Sequence, residues 1–181
     1  MWLIVLGIIV LLIVVWVISI YNSLVSLRER VSNATAQIAT QIESRWDAVK
    51  SLIDATKEYS EYEGETLEKI TESRSSIGRN SSVSEMEKDQ EQFNNVLGRL
   101  IAVSESYPDL KASNVYQSTM DSINQYENNV RNSRMIYNDV VTRLNRKIQV
   151  FPSNIVASMF NFKLGEYFEA TETKREMPSW N

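Results

Sequence analysis

Residues Trp2 to Ile20 read WLIVLGIIVLLIVVWVISI, a run of 19 residues without a charge, in which Ser19 is the one clearly polar side chain. Coiled as a helix, the run rises about 28 Å, close to the thickness of a bilayer's hydrocarbon core. Trp2 and Tyr21 stand at its two ends, where amphipathic rings settle at the headgroup level. A cleaved signal peptide would need a basic leader, a shorter apolar stretch and a small-x-small site. The leader is missing, the run is long, and Ser19-Ile20-Tyr21 is a poor site. The run is therefore read as a retained transmembrane anchor, residues 1–20. Arg28 and Arg30 follow it closely and no Lys or Arg precedes it. The positive-inside rule then predicts a single-pass protein of the cell membrane, with the N-terminus outside and the rest of the chain in the cytoplasm.

The chain has five Gly and three Pro, and neither occurs between Gly7 and Gly64. After the anchor, apolar side chains recur at Leu24, Leu27, Val31, Ala34, Ile38, Ile42, Val49, Leu52, Ile53 and Tyr59. Spacings of three and four make the stripe of an amphipathic helix. This predicts one helix from the membrane through Tyr62 and on to about Ser76. Residues 78–82, Gly-Arg-Asn-Ser-Ser, are predicted to form a loop. Ser84 with Glu87 matches a capping box and opens a second helix with Met86, Phe93, Val96, Leu97 and Leu100 inside. That helix ends near Ser106, because Tyr107 precedes Pro108 and is pushed towards extended backbone. Ser113 caps a third helix, with Tyr116, Met120, Ile123, Val130, Tyr137, Val141, Leu144 and Ile148 as its heptad-like seam. Phe151-Pro152 ends it, and Ser153 caps a short fourth, Asn154 to Phe160. The expected fold is all-α: a transmembrane helix continuing into an antiparallel bundle of three long helices and a short fourth over residues 21–168, with a flexible tail at 169–181.

Composition removes several function classes. With no Cys there is no thiolate metal site, disulfide, Cys nucleophile or lipid-modified cysteine, and with no His the commonest general base and transition-metal ligand are missing. A formal net charge of −4 is not that of a nucleic-acid-binding surface. No local motif supports a Ser-Lys pair. The expectation is a protein without catalysis, cofactor or metal.

Four stretches resemble the LemA family of bacterial membrane proteins. They are Tyr21-Asn22-Ser23-Leu24-Val25-Ser26-Leu27-Arg28, then Tyr107-Pro108-Asp109-Leu110-Lys111-Ala112, then Glu127-Asn128 with Arg134 and Tyr137-Asn138, and last Asn145 with Phe151-Pro152 and Phe160-Asn161-Phe162. Their order and spacing cover nearly the whole chain. The resemblance implies a membrane-anchored antiparallel helical bundle and names no reaction. Two places depart from the family's pattern: Ala48-Val49-Lys50 stands where Leu-Ile-Pro is usual, and Tyr62-Glu63 where His-Glu is common.

Several side chains stand out as candidate sites. Glu58, Glu61, Glu65 and Glu68 share a helical face; a carboxylate metal centre in a bundle would add Glu-x-x-His motifs, and without His a solvated acidic face is the plainer reading. Arg74 and Arg134 fall on or beside apolar stripes, with Glu127 seven residues before Arg134. Asn124, Arg131, Asn138 and Asn145 recur every seven residues. From these, Arg74, Glu127, Arg134, Asn138 and Asn145 form a candidate polar layer; snorkelling ends and a solvent boundary are the bland alternatives. Ile155, Val156, Met159, Phe160, Phe162, Leu164, Tyr167 and Phe168 form an apolar cluster that could cap the bundle, lie on the membrane or dock on a neighbour.

Helix lengths suggest an assembly. Tyr21 to Ser76 would reach about 84 Å, against about 35 Å for the second helix and about 55 Å for the third. The stripe Leu24, Leu27, Val31, Ala34, Ile38 and Ile42 would then lack an intramolecular cover and would be the interface between copies. The expected partners are the lipid bilayer and copies of the same chain, with another membrane protein possible and nucleic acid not expected. The expected function is a self-associating membrane scaffold, the alternative a monomeric adaptor for another membrane protein.

Overall fold

The computed structural model describes residues 1–72 and 77–168. Among them 85% are helical and none lies in a strand. The helices are α1 (Trp2–Lys57), α2 (Glu61–Glu72), α3 (Val83–Ser106), α4 (Pro108–Ala112), α5 (Asn114–Gln149) and α6 (Ser153–Met159). The expected C-terminal tail, 169–181, lies outside the described residues. Packing divides the chain into two compact units: an anchor unit of residues 1–28 with the chain from Asn138 onward, and a bundle unit, Glu29–Tyr137. Helices α1 and α5 run through both.

The uninterrupted α1 follows from the lack of Pro and of internal Gly beyond Gly7. It does not continue to Ser76, as the sequence predicts, but breaks at Glu58-Tyr59-Ser60. There the Thr56 carbonyl accepts the N–H groups of both Tyr59 (3.0 Å) and Ser60 (2.9 Å). Ser60 Oγ then accepts the Glu63 N–H at 3.4 Å, the bond of a helix N-cap. A Ser-x-x-Glu signature at 60–63 therefore outweighs continuity. Lys57 Nζ donates to Glu68 Oε2 at 2.7 Å and ties α2 back against the end of α1.

This break sets the direction of everything after it. Arg79, just before α3, meets Glu29, Ser32 and Asn33 near the start of the bundle unit, and Asp89 meets Arg45 further along. So α3 runs parallel to α1, with α2 as the return stroke between them. Helix α5 descends again: Tyr116 at its start meets Ser104 near the end of α3 at 2.9 Å, and Glu127 meets Gln90. The second long helix was expected antiparallel to the first; the extra helix α2 reverses that relation.

Caps place the remaining ends. The box that opens α3 is Ser82 with Glu85, two residues before the expected Ser84 and Glu87: Ser82 Oγ accepts the Glu85 N–H at 3.2 Å and Glu85 Oε2 accepts the Ser82 N–H at 2.7 Å. The shift lets buried Val83 join Met86 on the inner face. Pro108 opens α4, a helix not expected, from the first-turn position that its missing N–H suits. Ser113 accepts the Tyr116 N–H at 3.1 Å and caps α5 as its sequence predicts. Ser153 instead belongs to α6 itself, and its hydroxyl donates to the Lys147 and Val150 carbonyls.

The bundle core collects Ala34, Ile38, Ile42, Trp46, Val49, Leu52 and Ile53 of α1, Leu67 of α2, Met86, Phe93, Val96 and Leu100 of α3, Leu110 of α4 and Tyr116, Ile123 and Val130 of α5. Each fully buried Ile or Leu contributes about 1.5–3 kcal/mol relative to exposure.

The clip between α1 and α2 makes a pH-dependent element. Its hydrogen bond to Lys57 is the main cause that holds the Glu68 carboxyl below its ordinary 4.5. The same bond holds the Lys57 ammonium above its ordinary 10.5. Glu68's contribution is thus present above pH 4.5 and lost as pH falls through its depressed value; that of Lys57 is present below pH 10.5 and lost as pH rises through its raised value. Amide hydrogen exchange in α2, corrected for intrinsic rates, should stay level between these limits and quicken on acidification below 4.5. Glu68→Gln should show the quick exchange already at neutral pH. Identical acid profiles for both proteins would rule the clip out.

Candidate functional site

The core stripes of the bundle unit carry two charged residues. Arg45 lies three residues after Ile42 and four before Val49, and Asp89 lies three after Met86 and four before Phe93, so helical geometry turns both inward. Their side chains are 0% and 3% exposed. Arg45 Nη2 donates to Asp89 Oδ2 at 3.1 Å, and Nη1 donates to Gln90 Oε1 at 2.8 Å and Glu127 Oε2 at 2.6 Å. The guanidinium carbon stands 3.7 Å from the centroid of the Phe93 ring, a cation–π contact in a dry setting. Trp46 packs edge-on against the same ring at 5.5 Å and donates its indole N–H to Asp89 Oδ1 at 3.0 Å.

Helix α5 closes the cluster. Gln90 donates from Nε2 to Glu127 Oε1 at 3.2 Å and accepts from Arg134 at 3.1 Å. Two guanidiniums, Arg45 and Arg134, thereby face two carboxylates, Asp89 and Glu127, and their formal charges cancel. Burial, with the Arg45 charge nearby, lowers the Arg134 pKa, against the opposing pull of Glu127, Glu87 and Asp89. Every carboxylate here is engaged by a donor, and no described set of His, Cys, Asp and Glu could hold a metal ion. The arrangement fixes the register of three helices; nothing in it is posed as a nucleophile beside a base.

The candidate polar layer is split. Glu127 and Arg134 join this cluster. Arg74 lies outside the described residues. Asn138 and Asn145 serve the anchor unit: Asn145 donates to the Gly165 carbonyl at 2.9 Å and accepts the Gly165 N–H at 2.8 Å, and Asn138 does the same for Phe168, both at 3.0 Å. They hold this chain's own backbone. The other members of the heptad series, Asn124 and Arg131, are exposed. A Cβ on Gly165 would come within 3.2 Å of Val141 Cγ1, so the residue without a side chain sits where the segment approaches α5 most closely.

The candidate interface residues lie largely within the fold of the single chain. Leu24, Ala34, Ile38 and Ile42 are buried within the single chain, and Leu27 and Val31 are half-buried. The stripe has its cover: the returning helices in the bundle unit and the segment after α6 in the anchor unit, where the Tyr21 ring meets Phe160 at 4.7 Å and Phe162 at 6.0 Å. The acidic face is divided by the helix break at 58–60, and Glu68 is taken by Lys57 while Glu65 pairs with Lys69 at 3.9 Å. A groove of about 300 Å³ along Ser44, Asp47, Ser51, Thr119, Ser122 and Tyr126 is open and mostly polar, and one of about 240 Å³ beside Trp46, Lys50, Ile53, Asp54 and Glu68 has a mixed polar and apolar lining. Sequence reasoning missed Arg45, Asp89 and Gln90, although a charge at a stripe position on each of two helices was the available signal.

Two substitutions test these networks. Arg45→Ala strands Asp89 and should lower the unfolding free energy by about 3–5 kcal/mol. Arg45→Lys should recover only part, because one ammonium cannot present the planar fork. Urea titration in mild detergent, followed by circular dichroism, measures both, and an Ala variant within about 0.5 kcal/mol of the parent would dismiss a binding role for the cluster in the fold. Asn145→Ala should leave the Gly165 backbone without partners, at about 1–3 kcal/mol, and speed hydrogen exchange around Gly165 by about tenfold or more. Unchanged exchange there would mean the clamp holds nothing.

A model of the LemA family matches residues 34–181. The chain is 30% identical over 158 residues to Protein LemA of Metamycoplasma hominis, covering 85% of this chain and 71% of that protein. It is 36% identical over 77 residues to Magnetosome protein MamQ 2 of Paramagnetospirillum magneticum and 33% over 76 residues to Magnetosome protein MamQ of Magnetospirillum gryphiswaldense. Those two matches cover 42% of this chain and span only 28% of either magnetosome protein. Together with the apolar start of α1, these likenesses support a membrane-associated helical protein. The chain belongs to the LemA family.

Proposed function

We propose that the chain is a non-catalytic, single-pass membrane adaptor, which presents a cytoplasmic helical bundle to another membrane protein. One observation carries the reading: Leu24, Ala34, Ile38 and Ile42 of the stripe are buried, and Arg45 is paired with Asp89 and Glu127, within one chain. A surface already used for the core is not free to join copies, so the monomeric alternative gains over the self-associating scaffold. Arg28 and Arg30, directly after the span, support the cytoplasmic orientation. The balanced, fully engaged carboxylates of the Arg45 cluster support a structural role over a catalytic one.

Light scattering of the full chain in several mild detergents should give the mass of one chain. A stable oligomer in all of them, joined through the span or elsewhere, would return the reading to a self-associating scaffold. Ile38→Asp should lose helicity and thermal stability, as a core substitution does, without passing through a change of oligomeric state. For orientation, Ser82→Cys should resist a membrane-impermeant thiol reagent in intact cells and react after lysis; labelling in intact cells would invert the topology.

A further inference from the structure

Beyond the apolar run of α1, the anchor unit leaves apolar side chains around α6 exposed. Helix α6 turns Val156 and Ala157 inward, where both are buried. Its opposite side carries Ile155 and Met159, four residues apart and so on one face. Phe151 is 74% exposed, Met159 69%, Ile155 51% and Phe160 48%. Scattered apolar residues on a surface need no account, but four within ten positions, two of them on the outer face of one short helix, do.

Three observations say what they meet. The first is position. The Phe160 ring lies 4.7 Å from that of Tyr21, and Tyr21 follows directly on the uncharged run Trp2–Ile20. The end of α6 is therefore held at the level where the span leaves the hydrocarbon. The second is charge. No Asp, Glu, Lys or Arg occurs from Val150 to Phe162, while Arg146 and Lys147 stand before this stretch and Lys163 after it. Arg28 adds a cation, 5.6 Å from the centroid of the Phe162 ring. An uncharged apolar stretch between basic residues matches a segment that enters the interface while its cations stay with the phosphates. The third is attachment. The Asn145 and Asn138 clamps hold the chain after α6 against α5 at Gly165 and Phe168, which fixes α6 beside the span and keeps its outer face from turning inward.

We propose that Phe151, Ile155, Met159 and Phe160 enter the leaflet from which α1 emerges, giving the chain a second, monotopic contact with lipid. The proposal rests on the reading of Trp2–Ile20 as a membrane span. Insertion is shallow, roughly 5–10 Å into the boundary between headgroups and acyl chains. One helix alone leaves the anchored domain free to swivel about its axis; a second contact beside it sets one face of the anchor unit towards the bilayer.

The native chain has no Cys, so single thiols can be placed in the full-length protein and labelled with an environment-sensitive fluorophore. Leu11→Cys, Met159→Cys and Ser82→Cys are reconstituted separately into vesicles of phosphatidylcholine and phosphatidylglycerol. Met159→Cys should emit to the blue of Ser82→Cys, be quenched by lipid carrying a nitroxide near the headgroup, and resist aqueous iodide. Ile155→Cys should behave as Met159→Cys does, with helicity unchanged in both. If Leu11→Cys is quenched by nitroxide at mid-depth while the labels at 155 and 159 emit like Ser82→Cys and yield to iodide, the lipid contact is overturned and the span stands. A Leu11→Cys label that no lipid quencher reaches would overturn the span, and the contact with it.

Discussion

A guanidinium sealed from water is the constraint on which the bundle unit turns. Arg45 can sit among Ile42, Trp46 and Val49 only because α3 delivers Asp89 and Gln90 and α5 delivers Glu127 to the same point. Apolar stripes tolerate sliding, since one Leu fills a gap nearly as well as another. A buried cation does not: a shift of one turn would leave it, and the carboxylate left behind, without partners at a cost of several kcal/mol. Against an apolar replacement such a cluster adds little net stability. Its consequence is register, fixing α1 against α3 and α5 at one level.

The anchor unit solves a different problem with the same helices. The chain after α6 is extended, without a neighbouring strand to take its backbone groups, and α5 supplies a substitute in two asparagine amides. Seven residues of helix rise about 10.5 Å, and three residues of extended chain span about 10 Å. Asn138 and Asn145 therefore meet Phe168 and Gly165 in step, each amide giving one donor and accepting one N–H. The heptad spacing of Asn138 and Asn145 thus measures out this chain's own backbone. Satisfied in this way, the segment can bring Phe160 and Phe162 against Tyr21.

The apolar run Trp2–Ile20 and the core residues Ala34 to Ile53 lie on the same helix, α1.

The all-α class, the apolar span, the end of α3 before Pro108 and the cap at Ser113 were all legible in the residues. Each depends on neighbours a few positions away: periodicity of three and four, a missing N–H, a hydroxyl within reach of the next turn. The family was legible too, from short stretches spread along the chain. What tertiary structure alone decided is which surface each stripe meets. The spacing of Leu24 to Ile42 is the same whether the stripe faces a second copy or the chain's own returning segments. The break at 58–60 hid behind an otherwise continuous stripe, because Ser60 and Glu63 become a cap only once α2 has somewhere to pack. Arg45 and Asp89 were visible as charges on two stripes, but their pairing joins residues 44 positions apart. Such contacts are set by the path of the folded chain, which local preference does not encode.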